Sequence, residues 1–169
     1  MATNTKPDSI ADPVASDLTN RIVYLNSDSL LNNYNYFNEL STSLEMKQDS
    51  IDRLLKRKAE ALEKEIMSYQ QGASTMSQEE MMKTEEILMK KQQTVIDLKD
   101  RLLGYLQEEE MRMNDSIHFH LNDYLKEMNK EKNYLFILGY QRGSGILLAN
   151  DSLDITDAVI KGVNGEYKQ

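Results

Sequence analysis

The stretch GASTMSQEE, Gly72 to Glu80, decides how this 169-residue chain folds. Glycine stops a helix because it takes up the left-handed cap conformation without a Cβ penalty. Ser77 followed three residues later by Glu80 is a capping box, in which each side chain satisfies a free backbone N–H of a new helix. One helix therefore ends and another begins within a few residues. A connection that short returns the chain antiparallel to itself. The tip of a helical hairpin is expected near residues 71–77.

Moving outward from the tip, both flanks carry apolar residues in a three-four rhythm. On the N-terminal side Leu44, Ile51, Leu55, Leu62, Ile66 and Tyr69 form one stripe among charges such as DRLLKRKAEALEKE. On the other side Leu88, Val95, Leu98, Leu102 and Tyr105 keep the rhythm, and Met113, Ile117, Leu121, Tyr124 and Met128 resume it. Both prolines lie before residue 14, and Gly is absent from 73 to 103 and from 105 to 138. Helices so free of breakers can be very long. The first is expected from a cap at Ser27 or Asp28 to Gln71, weakened at its start by Asn32, Asn33 and Asn35. The second should reach about Glu131. Gly104 inside it costs roughly 1 kcal/mol against Ala and is a candidate bend. A helix of ~50 residues is about 75 Å long, so residues 41–131 are expected to project as an arm.

Both ends of the chain read differently. RIVYLN, Arg21 to Asn26, has the β-branched and aromatic content of a short strand. YLFILGYQRGSGILLAND, Tyr134 to Asp151, reads as two strands around a Gly-Ser-Gly turn. SLDITDAVIKGVNGEYK reads as a short helix capped by Asp154, with Ile155, Val159 and Val163 on one face and Gly162 and Asn164-Gly165 ending it. Residues 1–19 are polar and contain both prolines, as a disordered leader does. Residues 20–40 and 132–169 should then form a small β-body. The fold class is α+β, predominantly α. Three strands and one short helix make a thin core, and YLFILGY is apolar on both faces. Such a strand must be covered on both sides, and pooling strands from several copies does so economically.

The charge balance narrows function. Net charge is -8 with a pI near 4.8, which opposes nucleic-acid binding, a process led by Lys and Arg on phosphates. There is no Cys, hence no disulfide or thiolate site. No apolar run is long enough to span a membrane, and no secretion signal opens the sequence. His118 and His120 lie two apart on a helix and point in different directions, so they do not form a metal pair. QRGSG lacks the spacing of a phosphate loop and no helix follows it. EEEMRMNDS reads as a solvated helix face. No nucleophile–base pair or clustered acid pair is present, so no enzyme activity, cofactor or metal is expected. The methionines near the tip, Met76, Met81, Met82 and Met89, offer a flexible, polarizable surface, or else pack between the helices.

Two segments carry a resemblance. RIVYLNSDSLLNNYNYF resembles the opening of the OmpH/Skp family of periplasmic chaperones, with Ile22, Tyr24, Leu25, Leu30 or Leu31, and Tyr34 at the matching places. GILLANDSLDITDAVIKGVN resembles that family's closing pattern, through Asp151, Leu153, Asp154, Ile155, Thr156, Asp157, Val159, Ile160 and Lys161. The resemblance spans about residues 20–164. It implies a homotrimer in which a β-barrel-like body carries three antiparallel helical-hairpin arms around a cavity for unfolded outer-membrane proteins, held without ATP. Ile22, Tyr24, Tyr134, Leu135, Phe136, Ile137, Leu138, Ile146 and Leu148 would build that body. Tyr69, Met76, Met81, Met82 and Met89 would touch the client. Some family members are strongly basic, whereas residues 77–131 here hold thirteen acids against eight bases. An anionic-lipid site is therefore not carried over. A prefoldin-like cytosolic chaperone and a structural coiled-coil tether of the cell envelope are the alternatives.

Overall fold

The structure is a computed structural model and describes residues 22–141 and 143–167. It is predominantly helical with a small two-stranded sheet. In chain order come β1 (Ile22–Asn26), α1 (Ser27–Asn33), α2 (Asn35–Gly72), α3 (Gln78–Lys132), β2 (Phe136–Tyr140) and α4 (Thr156–Glu166). Single 3₁₀ turns cover Ala73–Thr75 and Asp151–Leu153. The expected leader, 1–19, lies outside the described residues. The chain divides into two compact units, one of residues up to 38 together with those from 117 on, the other of residues 39–116.

In the first unit β1 and β2 pair in parallel, from Ile22 opposite Phe136 to Asn26 opposite Tyr140. The early strand thus meets the late one as the sequence suggests. The expected late hairpin does not form. Its first half is β2, but Ile146 and Leu148 lie in irregular chain, with Leu147 and Leu148 94% and 91% exposed. A ladder needs a neighbouring strand, and among the described residues nothing pairs with this segment.

The core of this unit is Val23, Tyr24, Leu25, Leu30, Tyr34, Ile117, Val159 and Val163. α4 seals it with the Val159–Val163 face the sequence predicts. Its start is tied to the end of β1. Asp154 accepts from the backbone N–H of Thr156 at 2.8 Å and from the Thr156 hydroxyl. That hydroxyl accepts from the N–H of Asn26 at 2.7 Å. One residue earlier the N–H of Ile155 donates to the carbonyl of Tyr24 at 2.9 Å. Thr156 is buried, and these bonds satisfy its polar atoms.

Three helix ends differ from the sequence reading. The first cap is Asn26, whose side chain accepts from the N–H of Ser29 at 2.9 Å, not Ser27 or Asp28. The first helix is interrupted at Tyr34, which is extended and buried. The backbone groups freed there are taken by Asn164 of α4. Its amide donates to the carbonyl of Asn33 at 2.8 Å and accepts from the N–H of Asn35 at 2.9 Å. Finally, α4 continues through Gly162, Asn164 and Gly165 to Glu166. Gly162 is kept there by packing. A Cβ on it would lie 1.7 Å from the hydroxyl oxygen of Tyr124 and 2.2 Å from the ring carbon that bears it.

The tip follows its sequence closely. α2 ends at Gly72 and α3 begins after Ser77. The N–H of Ser77 donates to the Glu80 carboxylate at 2.8 Å and the N–H of Glu80 donates to the Ser77 hydroxyl at 3.3 Å. The Ser77 N–H most of all, and then the Ser77 hydroxyl, which donates to the same carboxylate at 2.8 Å, hold the Glu80 carboxyl below its ordinary pKa. α3 passes Gly104 without interruption and ends at Lys132. Asn133 follows in the left-handed conformation, with φ of 54°, and Asn129 both accepts from and donates to the backbone of Tyr134.

Candidate interaction surfaces

The second unit is built on a seam between α2 and α3. Its apolar positions include buried Ile51 and half-buried Leu40, Leu44, Leu55, Leu62 and Ile66 on one helix, and half-buried Met81, Leu88, Val95, Leu98, Leu102 and Met113 on the other. Polar contacts among the described residues cross it. Tyr69 donates to Glu85 at 2.7 Å, Lys91 pairs with Glu65 at 2.5 Å, and Lys47 pairs with Glu109. Partner numbers rise along α3 as they fall along α2. Glu85 raises the Tyr69 phenol above its usual pKa by accepting its hydrogen bond.

Glu109 occupies a place where the seam repeat calls for an apolar residue. Met81, Leu88, Val95 and Leu102 stand seven apart, and the next step is Glu109. Its side chain is only 18% exposed, and Lys47 reaches it across the seam beside the ring of Tyr105, with Arg112 3.6 Å away. The hydrogen bond from Lys47 lowers the Glu109 pKa, and the same bond raises that of Lys47. This polar layer was legible in the seven-residue count, but a charge read singly looks like solvated surface.

The methionines separate. Met81 faces the seam side and is half-buried. Met82 and Met89 are 66% and 70% exposed. Met76 is half-buried in the turn, its terminal methyl 3.9 Å from where a Cβ on Gly72 would sit. Tyr69 is half-buried and engaged with Glu85. The five residues singled out as client contacts therefore do not share one surface.

The strand residues also divide. Tyr24 is buried, and Tyr134, Ile137 and Ile146 are half-buried. Ile22, Leu135, Phe136, Leu138 and Leu148 are exposed, with Phe136 at 59%. The sheet thus presents large apolar side chains along β2 to its surroundings.

His120 is held by aromatic contacts, with Tyr36 edge-on at 4.8 Å and Phe119 at 5.8 Å between ring centroids. Tyr36 also meets Tyr34 and Tyr167. Burial first, then neighbouring Tyr36 and Glu166, raises the Tyr34 phenol above its usual pKa. Tyr34, Tyr36, His120 and Tyr167 line a cavity of about 390 Å³ with Tyr124, Val163 and Glu166. Among the described residues no group of His, Asp and Glu is placed to hold a metal, and no helix is long and apolar enough to cross a membrane.

Comparison with known proteins follows the same lines. Residues 21–163 match the family described as outer membrane protein (OmpH-like). Among solved structures, a candidate outer membrane chaperone (OmpH-like) from Caulobacter crescentus CB15 superposes with a TM-score of 0.78. The two chains are 16% identical, and the match covers 86% of this chain and 85% of that one, a likeness of fold. Among curated proteins none matches the sequence.

Proposed function

This chain belongs to the OmpH-like family of outer membrane proteins, and from that membership we propose that it is an ATP-independent holdase chaperone of the periplasm. Its clients are unfolded outer-membrane proteins. The family match across residues 21–163, which takes in both strands and both long helices, carries the reading.

The mechanism is physical. α2 and α3 form an antiparallel hairpin arm, a reading supported by the opposed order of the Tyr69–Glu85, Glu65–Lys91 and Lys47–Glu109 contacts. Three copies join through a barrel-like body in which neighbouring chains cover the apolar side chains of β2. Phe136 and Leu138, exposed in the single chain, support that assembly. The arms surround the client and touch it weakly at many points, so avidity and not any single contact holds it. Enclosure keeps unfolded strands from pairing edge to edge. The acidic balance leaves short-range apolar contact as the main attraction.

Light scattering tests this. An unfolded outer-membrane β-barrel protein diluted out of urea should aggregate less at equimolar chaperone, with no nucleotide present. Unchanged scattering would overturn the proposal.

A further inference from the structure

The long helix α3 carries two apolar rows, and only one of them is used. Its sequence repeats apolar doublets every seven residues: Met81-Met82, Leu88-Met89, Val95-Ile96 and Leu102-Leu103. The first member of each doublet is half-buried on the seam side. The second members, Met82, Met89, Ile96 and Leu103, are 66%, 70%, 46% and 49% exposed. A step of seven residues drifts only about 20° around a helix. The four exposed side chains therefore form one row, about 31 Å long at 1.5 Å per residue.

A helical partner does not fit this row. Coiled-coil packing needs two apolar positions per heptad so that each knob finds a hole. This row has one per heptad, and the positions beside it are polar: Glu85 and Glu86, Gln92 and Gln93, Lys99 and Asp100. A permanent second copy does not fit either. The four side chains expose on the order of 450 Å², against about 800 Å² per partner in a stable interface. An isolated foothold every ~10 Å instead suits an extended chain, which can set one apolar side chain on each and pass over the polar ground between. Fixing it costs little specificity, because Met adapts to many shapes.

We propose that Met82, Met89, Ile96 and Leu103 form a track for an extended, unfolded polypeptide. The proposal rests on the holdase reading and says where on the helix the client lies. All four residues are exposed, so Gln, a good helix former, can replace them without emptying the seam.

The test compares the full chain with a fourfold variant, Met82→Gln, Met89→Gln, Ile96→Gln and Leu103→Gln. Far-UV melts should coincide. The Kd for a fluorescently labelled, unfolded outer-membrane β-barrel protein should rise at least tenfold, while Met82→Leu with Met89→Leu leaves it unchanged. Should the fourfold variant melt early, a photocrosslinker placed singly at Met89 gives the same answer. It should capture the client, and one at Arg101, about 120° around the helix from Met89, should not. Unchanged Kd in a well-folded fourfold variant, or equal capture at both sites, would overturn the track. A change in its oligomeric mass would also overturn it, since the row would then hold another copy. An inactive parent chain would instead reject the holdase reading, and the track with it.

Discussion

At the scale of single residues, Gly162 and Asn164 do more than their types suggest. Glycine inside a helix ordinarily weakens it by about 1 kcal/mol relative to Ala. Here Gly162→Ala should have the opposite sign. The new methyl would collide with the Tyr124 ring, at 1.7 Å from its oxygen, and overpacking of this kind costs roughly 1–3 kcal/mol. In a Tyr124→Ala background the same change should be neutral or stabilising. Urea denaturation of the four proteins measures the coupling, and additive effects would show that the ring is not the cause. Asn164→Ala removes two hydrogen bonds at the Tyr34 break. At roughly 0.5–1.5 kcal/mol net for each bond, a loss of about 1–3 kcal/mol is expected by the same assay. Neither role could be read along the sequence. Asn32, Asn33 and Asn35 signalled a weak helix start, but the break at Tyr34 is fixed by a residue 129 positions from Asn35. Gly162 looked like a stop because the ring that prefers it there lies far off in the chain.

At the scale of elements, the seam shows what periodicity reveals and what it conceals. Leu44, Ile51, Leu62, Leu88, Val95 and Leu102 fell where the three-four count put them, because burying an apolar stripe is the main reason such helices form. Ile146 and Leu148 misled, since apolar content marks a segment as able to pair but a ladder needs a partner. The methionines were ambiguous because Met suits both a seam and a surface. Only their places in the doublets separate Met81 from Met82.

The Lys47–Glu109 layer gives the seam a pH dependence. Glu109 titrates below its ordinary value near 4.5 when folded, so its pairing stabilises the helices above that pH and is lost as pH falls through the lowered value. Lys47 is shifted upward, so its share is complete below its ordinary 10.5 and is lost only in stronger alkali. The far-UV melting temperature should therefore hold across neutral pH and drop on acidification below about 4.5. Glu80 and Glu86 are shifted the same way and add to that drop. Lys47→Leu with Glu109→Leu should flatten the part owed to this pair and raise the melting point, since replacing a partly buried ion pair by apolar packing is often stabilising. An acid profile unchanged from the parent would show that the layer contributes nothing.

At the scale of the whole molecule, the uncovered face of β2 is the feature that asks for a partner. Phe136→Asp should abolish assembly in sedimentation equilibrium, because a buried carboxylate without a partner is costly. The long helices should keep their far-UV signal, since the seam lies in the other compact unit. A Phe136→Asp protein with the parent's own oligomeric mass would place any interface elsewhere.

The parallel ladder also sets an order of events. Ile22 bonds alongside Phe136, so the sheet closes a loop of more than a hundred residues. Loop closure grows more costly with length, and contacts between distant positions slow folding. The long helices form from local contacts, and once Lys47 meets Glu109 most of that loop is already closed. Chain reversal at Gly72–Ser77 should therefore come first and the sheet last. In pulsed hydrogen exchange, seam amides around Leu62 and Val95 should gain protection before those of Tyr24 and Leu138. A chain cut short before Phe136 would zip its helices and wait, with β1 an unpaired edge. On the holdase reading proposed above, the protein would itself pass through the condition of its clients each time it folds.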